Sequence, residues 1–505
     1  MARLWSSGFE LNTIQGSPNF YEFDGTTSTG LSISSTVKRS GTYSLRCAPA
    51  GSNGNVSHSE AAGSAGINSA RYWRIYFRVD TRPPAENTFM RLMPPTGTAM
   101  LVWLTVDSDG ILRLYDEDGQ IGSASGVLSL ATWYRVELLV DRTPAAGSHI
   151  VRARLDGVEF AGSSSRNLST QFNSLRVGCN AKTPSEGHTS GLWYIDDWAV
   201  NDETGSEQVG WCGEGSIIAI RPNAIGDSSD WARGGSNSGS NWGQLDEVTP
   251  NDITDYVRSN GTLNEKDEHN LQTPSFSNSV VRVVQLGVRY RGEAASAHDS
   301  FVLRLKASSV GTVEESSAIT PDTTSWHTNT NIAPRPYPLT SYFQPSTSNR
   351  WDLTSLTNAQ AGYRLSAVST NRINITALWL NIEYRPIFTA TLTDPVVVVP
   401  LISRLMTKHA LVEIVIVHTY SLTRAITRTY TQTVIVVGSL IKGFYKVYSA
   451  VIVIVPTYAD LFQAGRLFIE RIVVRPTLAK RIWASIWSKI GRTNSSYTGI
   501  DKPHC

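Results

Sequence analysis

Cysteine is scarce in this chain of 505 residues: there are four, Cys47, Cys179, Cys212 and Cys505, with no CxxC spacing and no histidine cluster beside them. That pattern argues against a zinc site. Cys47 and Cys179 fall in strand-like runs, which predicts buried free thiols, with a Cys47–Cys179 disulfide as the alternative. Charge is also low, at 17% of residues. Glu, Lys, Ala and Leu at helical spacing are missing until about the last thirty residues, which argues against long amphipathic helices. The longest apolar runs, such as VVVV (396–399) and VIVIV (451–455), are too short to cross a bilayer as helices, so no membrane span is expected. The opening MARLWSSGFE has no apolar leader core, so no signal peptide is expected.

What is abundant is turn chemistry and aromatic surface. Gly, Ser, Thr and Asn are frequent, and there are 14 tryptophans. That mix suits short strands joined by many turns. The length predicts two or three domains. The net charge of +2 is unevenly spread. Residues 388–505 hold 14 Lys and Arg against 5 Asp and Glu, so a basic module follows a mildly acidic body.

Residues 1–205 read as a string of strands. TYSLRC (42–47) and YWRIYFRV (72–79) alternate polar and apolar positions, the second with two arginines on one face. Further runs lie at 99–106, 111–115, 133–140, 150–155 and 192–200. DSDG (107–110), DEDG (116–119) and Asp156-Gly157 separate some of them, and Asp-Gly between alternating runs marks a hairpin. Residues 201–215 are polar and Gly-rich, which suits a linker. Beyond it come strand-like runs at 216–220, 280–290, 301–306, 363–367 and 373–384, with a long polar stretch at 222–241.

The order of the first-domain pieces resembles the concanavalin A-like, laminin G-type jelly roll. The residues that carry this are GFE (8–10), SGTYSLR (40–46), LTVDSDGILRLYD (104–116), TWYRVELLVD (132–141), VRARLDGVEF (151–160) and WYIDDWAV (193–200). GSNWGQLDEVTPNDITDYV (239–257) and VVQLGVRYRG (283–292) resemble a second β-sandwich module that accompanies laminin G-type domains in phage structural proteins. The expected architecture is all-β: two tandem β-sandwich (jelly-roll) domains, 1–205 and 206–387, followed by a repetitive β-rich C-terminal region, 388–505.

That last region carries β-branched runs ending at 399, 417, 437, 455 and 474, a recurrence of about nineteen residues. Basic residues follow at similar offsets, among them Arg404, Arg424, Lys442 and Arg466. One unit cannot bury its own face, whereas stacked or partnered units can. Exposed strands of this kind aggregate, so a homo-oligomer, for example a trimer, or a solenoid is expected. The tail resembles the Val/Thr-rich tails of phage structural proteins. Residues 482–492 could close it with a short helix.

Catalytic patterns are thin. Laminarinase-type glucanases place their carboxylates as E-x-D-x-x-E on one strand, and that string is missing. The acidic clusters Asp116-Glu117-Asp118 and Asp196-Asp197 read as a turn and a strand end. No G-x-S-x-G elbow appears, and His58, His149, His188 and His298 read as surface polar residues. GGSNSGSNWG (234–243) lacks the Lys-Ser/Thr and helix of a phosphate loop. The chain is therefore expected not to be an enzyme. The jelly-roll resemblance implies a structural calcium held by Glu10 and Asp197, with carbonyls near Gly41, since Ca²⁺ takes hard oxygen ligands. No other cofactor is expected.

Glycan binding needs aromatic faces beside polar groups. Trp73, Trp103, Trp133, Trp193 and Trp198 are available, and alternation alone assigns none of them. Loops near 94–98 and 182–189 are placed to contribute. The basic tail lacks stacking aromatics, so a nucleic-acid partner is not expected. The resemblances imply a virion structural protein, assembled in the host cytoplasm with other virion proteins. A tail fibre, tail-tip appendage or head fibre binding host surface glycan is the leading expectation. A capsid or tail decoration protein without glycan binding is the alternative.

Overall fold

The computed structural model describes residues 2–387, apart from 15–21, 28, 50–52, 62–64, 98, 182–189, 237, 323 and 330–335, together with two strand backbones further on, Gln432–Val436 and Ala450–Ile454. Among the described residues the chain is almost wholly antiparallel β. A five-residue helix, Leu353–Thr357, and a 3-10 turn, Asn241–Gln244, are the helical pieces. The all-β expectation is met. No described helix is long and apolar enough to cross a membrane.

Two sheets build the first sandwich. One runs Val158–Arg166, His149–Leu155, Trp133–Asp141, Arg71–Thr81, Leu192–Asn201, Ser44–Cys47 and Leu31–Ser34, with Arg3–Ser7 also paired to Leu192–Asn201. The other runs Gly119–Ile121, Leu112–Asp116, Val102–Val106, Asn87–Met93, Ser174–Ala181, Gly54–Ser59 and Gly25–Thr27. Period-two alternation decides which side chains meet between them. On Arg71–Thr81, Trp73, Ile75, Phe77 and Val79 enter the core, while Arg74 and Arg78 lie on the opposite face. The hairpin at Asp156-Gly157 has positive φ at both residues (50° and 89°), as a two-residue turn matched to strand twist requires. Cys47 and Cys179 are buried free thiols, as their strand-like runs predicted, and Cys212, in the segment read as a linker, is one too. Cys505 lies outside the described residues.

The second sandwich begins at Ser216–Ile220. One sheet runs Ala232–Gly235, Asp255–Arg258, Ile373–Pro386, Ser279–Gly292 and His327–Thr328, and Ser216–Ile220 and Leu339–Ser341 pair onto its long central strands. The other runs Pro222–Ser229, Lys266–Leu271, Gln360–Ala367, Ser300–Lys306 and Val313–Glu315. The polar stretch at 222–241 therefore contains two strands. Pro222–Ser229 is an edge strand whose side chains alternate between half-buried and exposed, so it carries little apolar signal. The Gly-rich segment before Ser216 is packed down: Cys212 is buried, and the Gly213 amide donates to Glu137 at 2.7 Å.

The described residues up to Pro386 form one compact unit, and the strands Gln432–Val436 and Ala450–Ile454 belong to a second. Within the first, the sandwiches meet through buried polar groups. Arg3 and Arg74 both pair with Glu383, and all three side chains are fully buried. Asn381 donates to the Ser6 carbonyl at 3.2 Å, and Ser6 Oγ donates to Gln285 at 2.6 Å. In the second unit Gln432–Val436 pairs antiparallel with Ala450–Ile454, so the third and fourth apolar runs of the repeat lie side by side. The remaining repeats and the expected helix at 482–492 lie outside the described residues.

Candidate functional site

The two residues expected to hold calcium are both buried at the junction of the sandwiches. Glu10 follows the first strand. Its carboxylate accepts the Thr42 amide at 2.9 Å and the Tyr43 amide at 3.2 Å. Gly41 passes so close that a Cβ there would stand 2.1 Å from Glu10 Oε1, and its φ is +59°, so glycine is required on both counts. Asp196 and Asp197 lie in mid-strand rather than at a strand end, at a bulge in the pairing with Arg71–Thr81. The bulge gives Asp197 a φ of 50° and leaves both side chains fully buried.

Each carboxylate already has protein donors. Asp197 takes Arg39 Nη1 at 2.5 Å, Ser40 Oγ at 2.5 Å and the Ile217 amide at 2.6 Å. Asp196 takes the Arg39 amide at 2.8 Å. These N–H groups repel a cation, and Ca²⁺ wants about six to eight oxygens. Among the described residues no group of three or more His, Cys, Asp or Glu side chains is arranged to hold a metal ion. The donor set does not fit a resident Ca²⁺, because the Arg39 guanidinium stands where the ion would balance Asp197. Calcium chloride and EDTA are both expected to leave the melting temperature unchanged. A rise of several degrees with calcium would restore the metal reading.

Burial pushes the Glu10 carboxyl up from 4.5 to about 8, against the pull of the Thr42 and Tyr43 amides and of Arg221. Burial and the Asp197 charge likewise raise Asp196. A raised carboxyl means that the folded chain holds protons the unfolded chain has lost. The Glu10 contribution is complete below pH 4.5 and disappears as pH rises through about 8. Across that window unfolding free energy is expected to fall by up to about 1.4 kcal/mol per pH unit for one such group. Glu10→Gln should make the slope shallower, and identical slopes for the two proteins would refute this assignment.

A different surface has the makings of a binding site. On the outer face of the second sheet, register aligns Arg176, Arg91, Trp103, Tyr115 and Gln120 side by side across five strands. Their chain neighbours Val177, Met90, Leu92, Leu104 and Leu114 point into the core, so this row points away from it. Trp103 and Tyr115 stack with centroids 5.7 Å apart and planes 10° apart. A second row, Asn180, Thr88, Thr105 and Arg113, lies alongside. Trp103 Nε1, Arg91 Nε, Arg176 Nε, Thr88 Oγ1 and Asn180 Nδ2 are buried without a hydrogen-bond partner among the described residues. Such atoms are costly unless something supplies the missing partner.

The tryptophans left open by alternation are now sorted. Trp73, Trp193 and Trp198 are fully buried in the core, and Trp103 and Trp133 are half-buried. Residues 182–189 and 98 lie outside the described residues. Arg91, Arg176, Thr88 and Asn180 escaped sequence reading because strands Asn87–Met93 and Ser174–Ala181 did. The signal was present: Leu175, Val177 and Cys179 alternate with Arg176, Gly178 and Asn180. The histidines differ from expectation too. His58 is buried and stacks on Trp5 at 4.3 Å, and burial lowers its pKa to about 3. His149 and His298 are also buried, with Nδ1 of His149 accepting the Leu168 amide at 3.0 Å. His188 lies outside the described residues. Asp116, expected in a turn, ends a strand and pairs with Arg166.

No protein-family model matches the chain, and no curated protein matches it. Solved structures similar to it include the cellulose-induced protein Cip1, at 16% identity and a TM-score of 0.26, covering 39% of this chain and 96% of that one. A family 7 alginate lyase, A1-II′, is 10% identical with a TM-score of 0.29, covering 36% and 86%. A Trypanosoma rangeli sialidase is 13% identical with a TM-score of 0.26, covering 34% of this chain and 26% of the sialidase. These likenesses are of fold and assign no reaction. They do correct the expectation that the chain is not an enzyme. Sialidases and alginate lyases are enzymes, and a missing E-x-D-x-x-E string excludes one arrangement of carboxylates, not catalysis on a β-sandwich.

Proposed function

We propose that the first sandwich binds a glycan on the outer face of its second sheet. The stacked, half-buried pair Trp103 and Tyr115 carries this reading. A pyranose ring offers an apolar C–H face to an aromatic and hydroxyls to the flanking polar groups. Here the half-buried Trp103 brings an indole N–H that has no hydrogen-bond partner among the described residues. The full chain on an array of immobilised glycans is expected to bind at least one class, with binding lost in Trp103→Ala. An array without wild-type binding would overturn the reading and favour a decoration role.

The biological setting rests on the sequence resemblances and on the basic repeat tail. On that footing the chain serves as a tail fibre, tail-tip appendage or head fibre of a phage virion, as a homo-oligomer beside other virion proteins, with glycan on the host surface as its target. Immunogold electron microscopy of intact particles should place it on an appendage. Particles that lack it would end this reading.

A further inference from the structure

Arg91 and Arg176 sit directly opposite each other on neighbouring strands. Like charges so placed repel and destabilise a sheet. Burial lowers the pKa of both, and for Arg91, brought down to about 10, the Arg176 charge adds to the effect. Neither has a carboxylate or hydrogen-bond partner among the described residues. Some half-buried arginines of this unit have a carboxylate, as Arg39 has Asp197 and Arg166 has Asp116, and Arg154 and Arg291 lie over the rings of Trp211 and Trp326; what sets Arg91 and Arg176 apart is that each faces the other across the strands. The acids at the far end of the face do not reach the pair. Glu86 accepts from Thr105, and Asp107 is paired with Arg113. Two cations side by side, half desolvated and with Nε groups unsatisfied, form a fold-imposed site lacking an anion.

From this juxtaposition we infer that the glycan taken by this face carries carboxylates, with Arg91 and Arg176 gripping a carboxylate while Trp103 and Tyr115 stack on the ring that bears it. This rests on the glycan reading above. The planar guanidinium fork matches a carboxylate bidentately, and such charge-assisted bonds are about twice as strong as neutral ones. Arg91 is the direct cross-strand neighbour of Trp103, so a single acidic sugar can span the arginine and the aromatic. Hexuronate chains and sialic-acid-capped chains both present this chemistry.

The test is titration calorimetry of the full chain with four probes: a hexuronate oligosaccharide, its carboxyl-reduced counterpart, a sialyl-oligosaccharide and a sulfated chain of matched length. At least one carboxylated probe is expected to bind, and carboxyl reduction of the hexuronate to weaken it tenfold or more. Arg91→Gln and Arg176→Gln should each weaken the carboxylated probe by about tenfold and flatten its salt dependence. Neither variant should lower the melting temperature, since each removes a like-charge contact. Equal binding of acidic and reduced chains, abolished by Trp103→Ala but untouched by the arginine variants, would overturn this inference and leave the glycan reading standing. Equal, arginine-dependent binding of the sulfated chain would overturn the choice of carboxylate. Binding of no probe, nor of any arrayed glycan, would overturn both readings.

Discussion

Replacing Glu383 with alanine is expected to lower the unfolding free energy of the chain by about 3–5 kcal/mol, a large part of the stability of an ordinary domain. Arg74 Nη1 donates to Glu383 Oε1 at 2.6 Å, and Arg3 pairs with the other oxygen. Arg3 also donates through Nε to Asn201 at 2.6 Å. All three charged side chains are fully buried, and burial lowers Arg3 to about 9. Without the carboxylate, two guanidiniums remain in a site closed to solvent. The loss measures that uncompensated charge and not the net worth of the triad. A triple variant, Arg3→Met, Arg74→Met and Glu383→Leu, should therefore lose far less than Glu383→Ala. Urea denaturation of both variants decides it. A Glu383→Ala loss below about 1 kcal/mol would mean that water enters the joint.

Two tryptophans should respond to alanine in opposite ways. Trp103→Ala is expected to weaken glycan binding by about 30-fold or more, the scale of an aromatic hot spot. It should cost only about 1 kcal/mol of stability, chiefly the stacking with Tyr115. Trp193→Ala should instead cost about 3–5 kcal/mol, because that ring is fully buried and its Nε1 donates to the Gly178 carbonyl at 2.9 Å. Thermal unfolding beside glycan titration separates the two effects. If Trp103→Ala binds glycan as well as the parent chain, the outer face of the second sheet is not the site.

Much of the first sandwich was legible in its residues. YWRIYFRV becomes Arg71–Thr81 with every other side chain in the core, and the Asp-Gly pairs sit at hairpins. The reason is local: side-chain alternation and positive-φ turns are properties of a few adjacent residues. Asn87–Met93 and Pro222–Ser229 were harder to read. The first carries a bulge that breaks its alternation, and the second is a polar edge strand. Glu10 and Asp197 were singled out in the sequence as calcium ligands, and the structure instead gives each of them protein donors. The partner of Asp197, Arg39, was not foreseen, since their contact spans 158 residues of sequence.

The low charge and the alternation of short runs were enough by themselves to determine an all-β chain, whereas the choice between free thiols and a Cys47–Cys179 disulfide was made by the fold. Charge and alternation could not decide what the polar residues do. Arg91, Arg176, Trp103 and Tyr115 lie on four separate strands, and only the register of those strands makes them neighbours. The same holds for Arg3, Arg74 and Glu383, which are joined across two sandwiches. Alternation states which residues share a face of one strand. Which strands adjoin, in what register, and which charges are thereby paired or left unpaired depends on long-range pairing and burial, and that is a property of the folded sheet alone.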